Sequence, residues 1–368
     1  METLLSKVRT YRRELHQIPE LELALPKTEA YIRKVLSALP CRLLSPIPSS
    51  VCAFFDNGKD ETIAFRSDMD ALPVTEESGN GFQSLHPGCM HACGHDGHMA
   101  MLLGFAGELA AYYRELPHNV MLIFQPGEEN PGGAELICKT GFLSEYHITR
   151  IFGFHLWPNL PAGTVATRRK EFMARSSEVN IEIEGKSSHA AKYREGIDAL
   201  EISARYLLDV YRMEAELPKE TCRLLRFGHL TSGSIRNVVS SHTRLEGTLR
   251  AFQDETYWYL RDQLAALAKP YEETLGAKFH FDINTGYPAV INDEALTERV
   301  LSAFPGIQEL PEPEMISEDF AHYQKYVPGV FFFLGTGTGI PLHSSHFDFD
   351  EEILLKGIET DIKLSRLA

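Results

Sequence analysis

The sequence predicts an α/β protein, a mixed or parallel sheet flanked by helices, interrupted by a smaller α+β domain. Three observations predict it. Short apolar runs at 51–55, 62–66 and 120–124 alternate with helical patterns, the rhythm of strands joined by crossover helices. Residues 178–184, Glu-Val-Asn-Ile-Glu-Ile-Glu, alternate strictly between polar and apolar, as a strand with one wet face does. After residue 286 the chain returns to helix, apolar strand and helix, so the smaller domain is inserted and not appended.

Taken in order, residues 4–17 carry helical spacing with basic residues outside, and Ile18-Pro19 stops the helix. A second helix is expected over 26–39, strands over 51–55 and 62–66, a helix after His95 and a strand over 120–124. The insert reads as strand 178–184, helix 196–213, strands 223–230 and 242–251, helix 256–275 and strand 278–284. That is the strand-helix-strand-strand-helix-strand order of a split βαβ, ferredoxin-like sandwich. The expected boundaries are 1–176 with 287–368 for the larger domain and 177–286 for the insert. A strand at 330–334 and a helix at 351–367 close the larger domain. The chain contains no internal repeat and no low-complexity stretch.

At 368 residues the chain exceeds what one core ordinarily supports, which agrees with two domains. The 36 basic and 51 acidic side chains leave a net charge of −15, a surface that disfavours nucleic acid and anionic membranes. The start, Met-Glu-Thr-Leu-Leu-Ser-Lys-Val-Arg, has no extended apolar core, and no run reaches membrane-spanning length; a cytoplasmic protein is expected. Six cysteines are too sparse for a disulfide framework, so reduced thiols are expected, one or two of them on metal.

Chemistry concentrates in four places. Glu128-Glu129 follows the apolar run 120–124, and adjacent carboxylates there point different ways, so one can hold a metal while the other handles a proton. Residues 88–98 pack Cys89, His91, Cys93, His95 and His98 ahead of an apolar helix, a density of sulfur and imidazole that suits zinc or a similar divalent ion. His155 ends another apolar strand, and His343 and His346 lie near the C-terminus. Open parallel sheets gather ligands at strand C-terminal ends, so these segments can converge. Asp68 and Asp70, after a strand, can fix the tautomer of a ligand histidine. The glycines at 132–133 and 335–339 lack the lysine and serine or threonine that a phosphate loop requires. A metal store or thiol redox protein is the rival of another class, but it would not need Glu128 beside Glu129.

The motifs Leu15-His-Gln-Ile-Pro-Glu20, Arg66-Ser-Asp-Met-Asp-Ala-Leu-Pro73, Met90-His-Ala-Cys-Gly-His-Asp96, Gln125-Pro-Gly-Glu-Glu129, Gly185-Lys-Ser-Ser-His-Ala-Ala191 and Ser317-Glu-Asp-Phe320 together resemble the M20 metallopeptidase family, in particular its amidohydrolase branch. Within that branch, residues 129–134, 228–238 and 244–250 look most like N-acetyldiaminopimelate deacetylases. The resemblance implies a zinc-peptidase-like catalytic domain and an inserted domain that serves as lid and dimerisation surface. It implies two divalent metal ions, zinc first and manganese, cobalt or nickel as alternatives, on Cys93, His95, Glu129, His155 and His343. Both His343 and His346 are available as the last ligand; the family's register through Phe347, Asp350 and Glu351 selects His343.

By the same resemblance Glu128 is the general base and His189 polarises the scissile carbonyl. Asn237 and Arg250 read a substrate carboxylate, with an exposed salt bridge on its strand as the alternative for Arg250. The implied activity is removal of an acyl group, acetyl foremost, from an N-acyl amino acid, N-acetyl-L,L-diaminopimelate being favoured. A broad aminoacylase of the hippurate hydrolase type and a dipeptidase are the alternatives, and a homodimer is expected. One departure stands out: Lys192-Tyr193 occupies the place where relatives usually carry a proline.

Overall fold

A computed structural model describes residues 3–367. The chain forms two compact units, one made of the residues up to Phe172 with Val290–Pro313 and the residues from Glu318 onward, the other of Met173–Ala289 with Glu314–Ser317. The boundaries fall at 172/173 and 289/290, against 176/177 and 286/287 read from the sequence. The short segment Glu314–Ser317 joins the second unit because Ala174 N–H donates to the carbonyls of Glu314 and Ile316, at 3.1 and 2.8 Å.

The first unit is built on an eight-stranded mixed sheet, in the order Arg42–Leu44, Val51–Phe55, Asn119–Gln125, Thr62–Asp68, Ile148–Trp157, Gly329–Gly335, Val165–Thr167 and Gln308–Glu309. The four strands from Asn119–Gln125 to Gly329–Gly335 run parallel, and antiparallel partners flank them. Strands covered on both faces cannot alternate, which is why Asn119–Gln125 and Gly329–Gly335 are buried at every position. Helix His95–Tyr112 is apolar on nearly all sides because it lies under helix Leu4–His16 and helix Leu354–Ser365 as well as against the sheet. Gly104 permits that approach: a Cβ there would meet Ile358 Cδ1 at 2.6 Å and Val8 Cγ2 at 2.8 Å.

Helix Leu4–His16 departs from its expected pattern, since two of its basic residues face inward. Arg12 is buried and donates to Asp96 at 3.2 Å, to Asp348 at 2.5 Å and to the Phe349 carbonyl at 3.1 Å. His16 meets Asp96 at 2.8 Å through Nδ1 and Glu76 at 3.1 Å through Nε2. Burial alone would lower the His16 pKa, but Asp96 and Glu76 outweigh it and raise it to about 9. A raised folded-state pKa gives stability that is complete below the ordinary value of 6.5 and is lost as the pH climbs through about 9. Thermal melts are therefore expected to show a loss on the order of 2–3 kcal/mol over that window. A His16→Gln variant should lack this slope, and an equal slope in the variant would refute the assignment.

The second unit is a four-stranded antiparallel sheet in the order Lys278–Ile283, Arg175–Glu184, His242–Ala251 and Arg223–Ser232. In chain order that is fourth, first, third, second, the ferredoxin-like arrangement. Val179, Ile181 and Ile183 point to one face, where Tyr206, Tyr257 and Leu264 of helices Ala199–Glu216 and Asp254–Leu275 cover them. The first of these helices starts later than its expected 196 because the Asp198 carboxylate caps it, accepting from Leu200 and Glu201 N–H. A 3₁₀ segment, Ala190–Glu195, precedes it and carries Lys192 and Tyr193 exposed. No helix among the described residues is long and apolar enough to cross a membrane.

Candidate metal centre

The parallel strands place the reactive residues at or just beyond their C-terminal ends: Asp68 and Asp70 from Thr62–Asp68, Glu128 and Glu129 from Asn119–Gln125, and His155 within Ile148–Trp157. Cys93 and His95 come from the turn that opens helix His95–Tyr112. Gly94 between them has φ +87°, and a Cβ there would meet Leu156 Cδ1 at 2.8 Å. The left-handed turn brings the donor atoms of Cys93, His95 and His155 within 4.8 Å of one another.

Hydrogen bonds settle which ring nitrogens are free. His95 Nδ1 lies 2.8 Å from the Asp70 carbonyl, and His155 Nδ1 lies 2.7 Å from the Leu156 carbonyl. A carbonyl only accepts, so both rings carry their proton on Nδ1 and offer a lone pair at Nε2. His155 Nε2 faces Cys93 Sγ at 3.3 Å, and His95 Nε2 is buried without a hydrogen-bond partner. His98 is different: Nδ1 donates to Asp68 at 2.7 Å and Nε2 accepts from Leu156 N–H at 2.9 Å, so no lone pair remains for a cation. His91 is buried with neither ring nitrogen hydrogen-bonded, and burial holds its pKa down at about 3.

Asp70 organises the acidic side. Its two carboxylate oxygens accept the backbone N–H groups of Glu128 and Glu129, at 2.9 and 3.0 Å, while its carbonyl orients His95. The carboxylate thus acts on the backbone of the glutamate pair, and the tautomer is fixed by the main chain. Glu129 reaches the cluster with Cys93 and His343. Its Oε1 is buried without a hydrogen bond, 3.3 Å from His343 Nε2. Burial would raise its pKa, but His343, His95 and Cys93 outweigh it and lower it. Glu128 is 6% exposed; burial, with Glu318, Glu129, Asp319 and Asp70 nearby, pushes its carboxyl well above the usual range.

His343 adopts φ +65°, a region a non-glycine residue occupies only when its surroundings hold it there. Its N–H donates to the Ala92 carbonyl at 2.9 Å, next to Cys93. His346 lies apart, exposed and 3.8 Å from Glu77.

The donors fit a pair of divalent cations. Imidazole, thiolate and carboxylate donors converge, and two of their atoms, His95 Nε2 and Glu129 Oε1, are buried with no hydrogen bond of their own. Burial raises the Cys93 pKa well above that of a free thiol, so a cation bound there would displace a proton.

The remaining sequence-identified residues belong to the second unit. His189 is exposed, its Nδ1 accepting from Ala191 N–H at 3.1 Å, and it pairs with Val238 across an isolated bridge beside Asn237. Arg250 is half-buried and donates to the Met315 carbonyl. Its strand neighbours Arg244 and Glu246 pair with each other at 3.0 Å, and among the described residues no carboxylate pairs with Arg250. Sequence reading missed a buried network behind the glutamates: Arg66, Gln125, Glu318 and Asp319. An arginine inside the apolar run Thr62-Ile-Ala-Phe-Arg66 was the signal that could have found it, because a buried strand keeps a cation only where anions meet it.

A family model described as peptidase family M20/M25/M40 matches residues 64–365. An N-acetyldiaminopimelate deacetylase of Lacticaseibacillus paracasei is 34% identical over 364 residues, covering 95% of this chain and 94% of that protein. An uncharacterised hydrolase of Staphylococcus epidermidis is 36% identical over 361 residues, with the same coverage. Among solved structures, the Bacillus subtilis YXEP protein, described as a dinuclear metal binding peptidase from the M20 family, superposes with a TM-score of 0.85 at 29% identity, covering 98% of this chain and 97% of that one.

Proposed function

The chain belongs to the M20/M25/M40 peptidase family, and from that premise we propose that it is a metal-dependent amidohydrolase that removes an acyl group, acetyl foremost, from an N-acyl amino acid, with N-acetyl-L,L-diaminopimelate as the leading substrate. The observation that carries the chemistry is the pair of carboxylates at the strand exit: Glu129 converges with Cys93 and His343, and the buried Glu128 converges with His95 and Glu129 beside them. The deacetylases of Lacticaseibacillus paracasei and Shouchella clausii, at 34% and 35% identity across 95% of the chain, support the substrate.

Cys93, His95, Glu129, His155 and His343 would hold two cations, zinc favoured by the thiolate, which supply Lewis acidity and acidify water. Glu128 takes the proton of the attacking water and delivers it to the leaving amine, so one carboxylate serves both halves of the hydrolysis. Asp70 holds the base through its backbone. The motif-based roles of His189 at the scissile carbonyl, and of Asn237 and Arg250 at the substrate carboxylate, are part of the proposal, as is a homodimer.

Amine release by metal-reconstituted protein tests the reading across N-acetyldiaminopimelate, N-acetyl and N-benzoyl amino acids, and unblocked dipeptides. Dominant turnover of the first supports it, whereas turnover of dipeptides alone would sink it. For the last ligand, His343→Ala is expected to lower bound metal while His346→Ala leaves it unchanged; elemental analysis of the two variants decides between them. His189→Ala should reduce turnover with metal content intact, and a loss of metal would contradict its role.

A further inference from the structure

We propose that Glu318 is a positioning residue for Glu128: anchored at one oxygen by Arg66 and the Phe320 N–H, it presents its other oxygen to the base as a hydrogen-bond donor. The inference rests on Glu128 being the base. Arg66 is buried within its strand and ion-pairs with three buried carboxylates, Asp68 at 2.8 Å, Asp319 at 2.7 Å and Glu318 at 3.0 Å. One guanidinium does not balance three carboxylates in a dry interior. Glu128 adds a fourth, since carboxylate oxygens of Glu128, Glu318 and Asp319 lie within 4.8 Å of one another. Carboxylates crowded this way retain a proton.

The hydrogen bonds locate that proton. Asp68 accepts from Arg66 Nη1 on Oδ2 and lies 2.7 Å from His98 Nδ1 on Oδ1. Asp319 accepts from Arg66 Nη2 on Oδ1, and on Oδ2 from Gln125 Nε2 at 2.8 Å and Ala134 N–H at 2.9 Å. Glu318 Oε1 accepts from Phe320 N–H at 3.1 Å and faces Arg66. Among Asp68, Asp319 and Glu318, Glu318 Oε2 is the buried oxygen left without a hydrogen-bond partner, so with Glu128 ionised as the base the proton falls there. Burial, with Asp319 and Asp68 adding to it and Arg66 opposing, raises the Glu318 pKa. A neutral O–H beside the base orients it without adding a negative charge, an effect felt in kcat and not in substrate affinity.

Glutamine reproduces the neutral acid, a carbonyl for Arg66 and an N–H for Glu128, whereas leucine keeps volume and donates nothing. In the full-length, metal-loaded protein, Glu318→Leu is expected to lower kcat about 10–100-fold, the worth of a hydrogen bond to a charged group, with KM and metal content little changed. Glu318→Gln should restore most of that loss. Equal losses in the two variants, or wild-type kcat in the leucine variant, would overturn the proposal. An infrared difference spectrum, wild type minus Glu318→Gln, should contain the C=O stretch of a protonated carboxyl group. Its absence would overturn the proposal too, even where the leucine variant fails to fold. That spectrum needs no substrate, so it separates this inference from the assigned reaction: a protein inactive on every acyl amino acid would refute the function and leave the Glu318 proton still to be read.

Discussion

Replacing Glu128 by glutamine is expected to leave bound metal at the wild-type level and to lower kcat about 10²–10⁴-fold, the range for loss of a general acid–base group. The amide matches the carboxylate in size and cannot accept the water proton. Its backbone N–H still donates to Asp70, so the loop geometry survives the change. Two quantities decide the outcome, metal per chain and single-turnover rate. Retained turnover would mean that another group takes the proton; loss of metal would move Glu128 into the ligand set.

Asp70→Ala should damage the protein more broadly than any ligand substitution, because one side chain fixes two neighbours at once. The Glu128 and Glu129 N–H groups lose their acceptor in a buried site, which costs about 1–3 kcal/mol for each unsatisfied group. Glu129 then loosens, and metal affinity is expected to fall about 10–100-fold, as when a partner behind a ligand is removed. Asp70→Asn retains one acceptor oxygen and should fall between. A competition titration with a chromophoric chelator measures the affinity; an alanine variant that binds metal as the wild type does would show that Asp70 is dispensable to the centre.

The parallel strands were readable because burial on both faces leaves continuous apolar runs, and the insert because Arg175–Glu184 buries alternate residues. Arg42–Leu44, Val165–Thr167 and Gln308–Glu309 were not, since two or three residues carry no period. Nor was the inward face of helix Leu4–His16: Arg12 and His16 look like solvent-facing residues until Asp96, Glu76 and Asp348 arrive from elsewhere. At the site, residue types announced metal chemistry, but the separation of His95 and His155 from His98 depends on which carbonyl or N–H meets each ring. Asp70 was visible as a carboxylate, whereas its recipients, two main-chain N–H groups, leave no trace in side-chain identity.

The position of His343 also sets an order of events. Between His155 and His343 the chain runs through the whole of the second unit, and only then can the His343 N–H close onto the Ala92 carbonyl. During synthesis from the N-terminus, the four proposed donors from Cys93 to His155 precede the second unit and His343 follows it. A nascent or truncated chain that stops short of His343 therefore carries an incomplete set of the proposed donors, however completely its first four are folded.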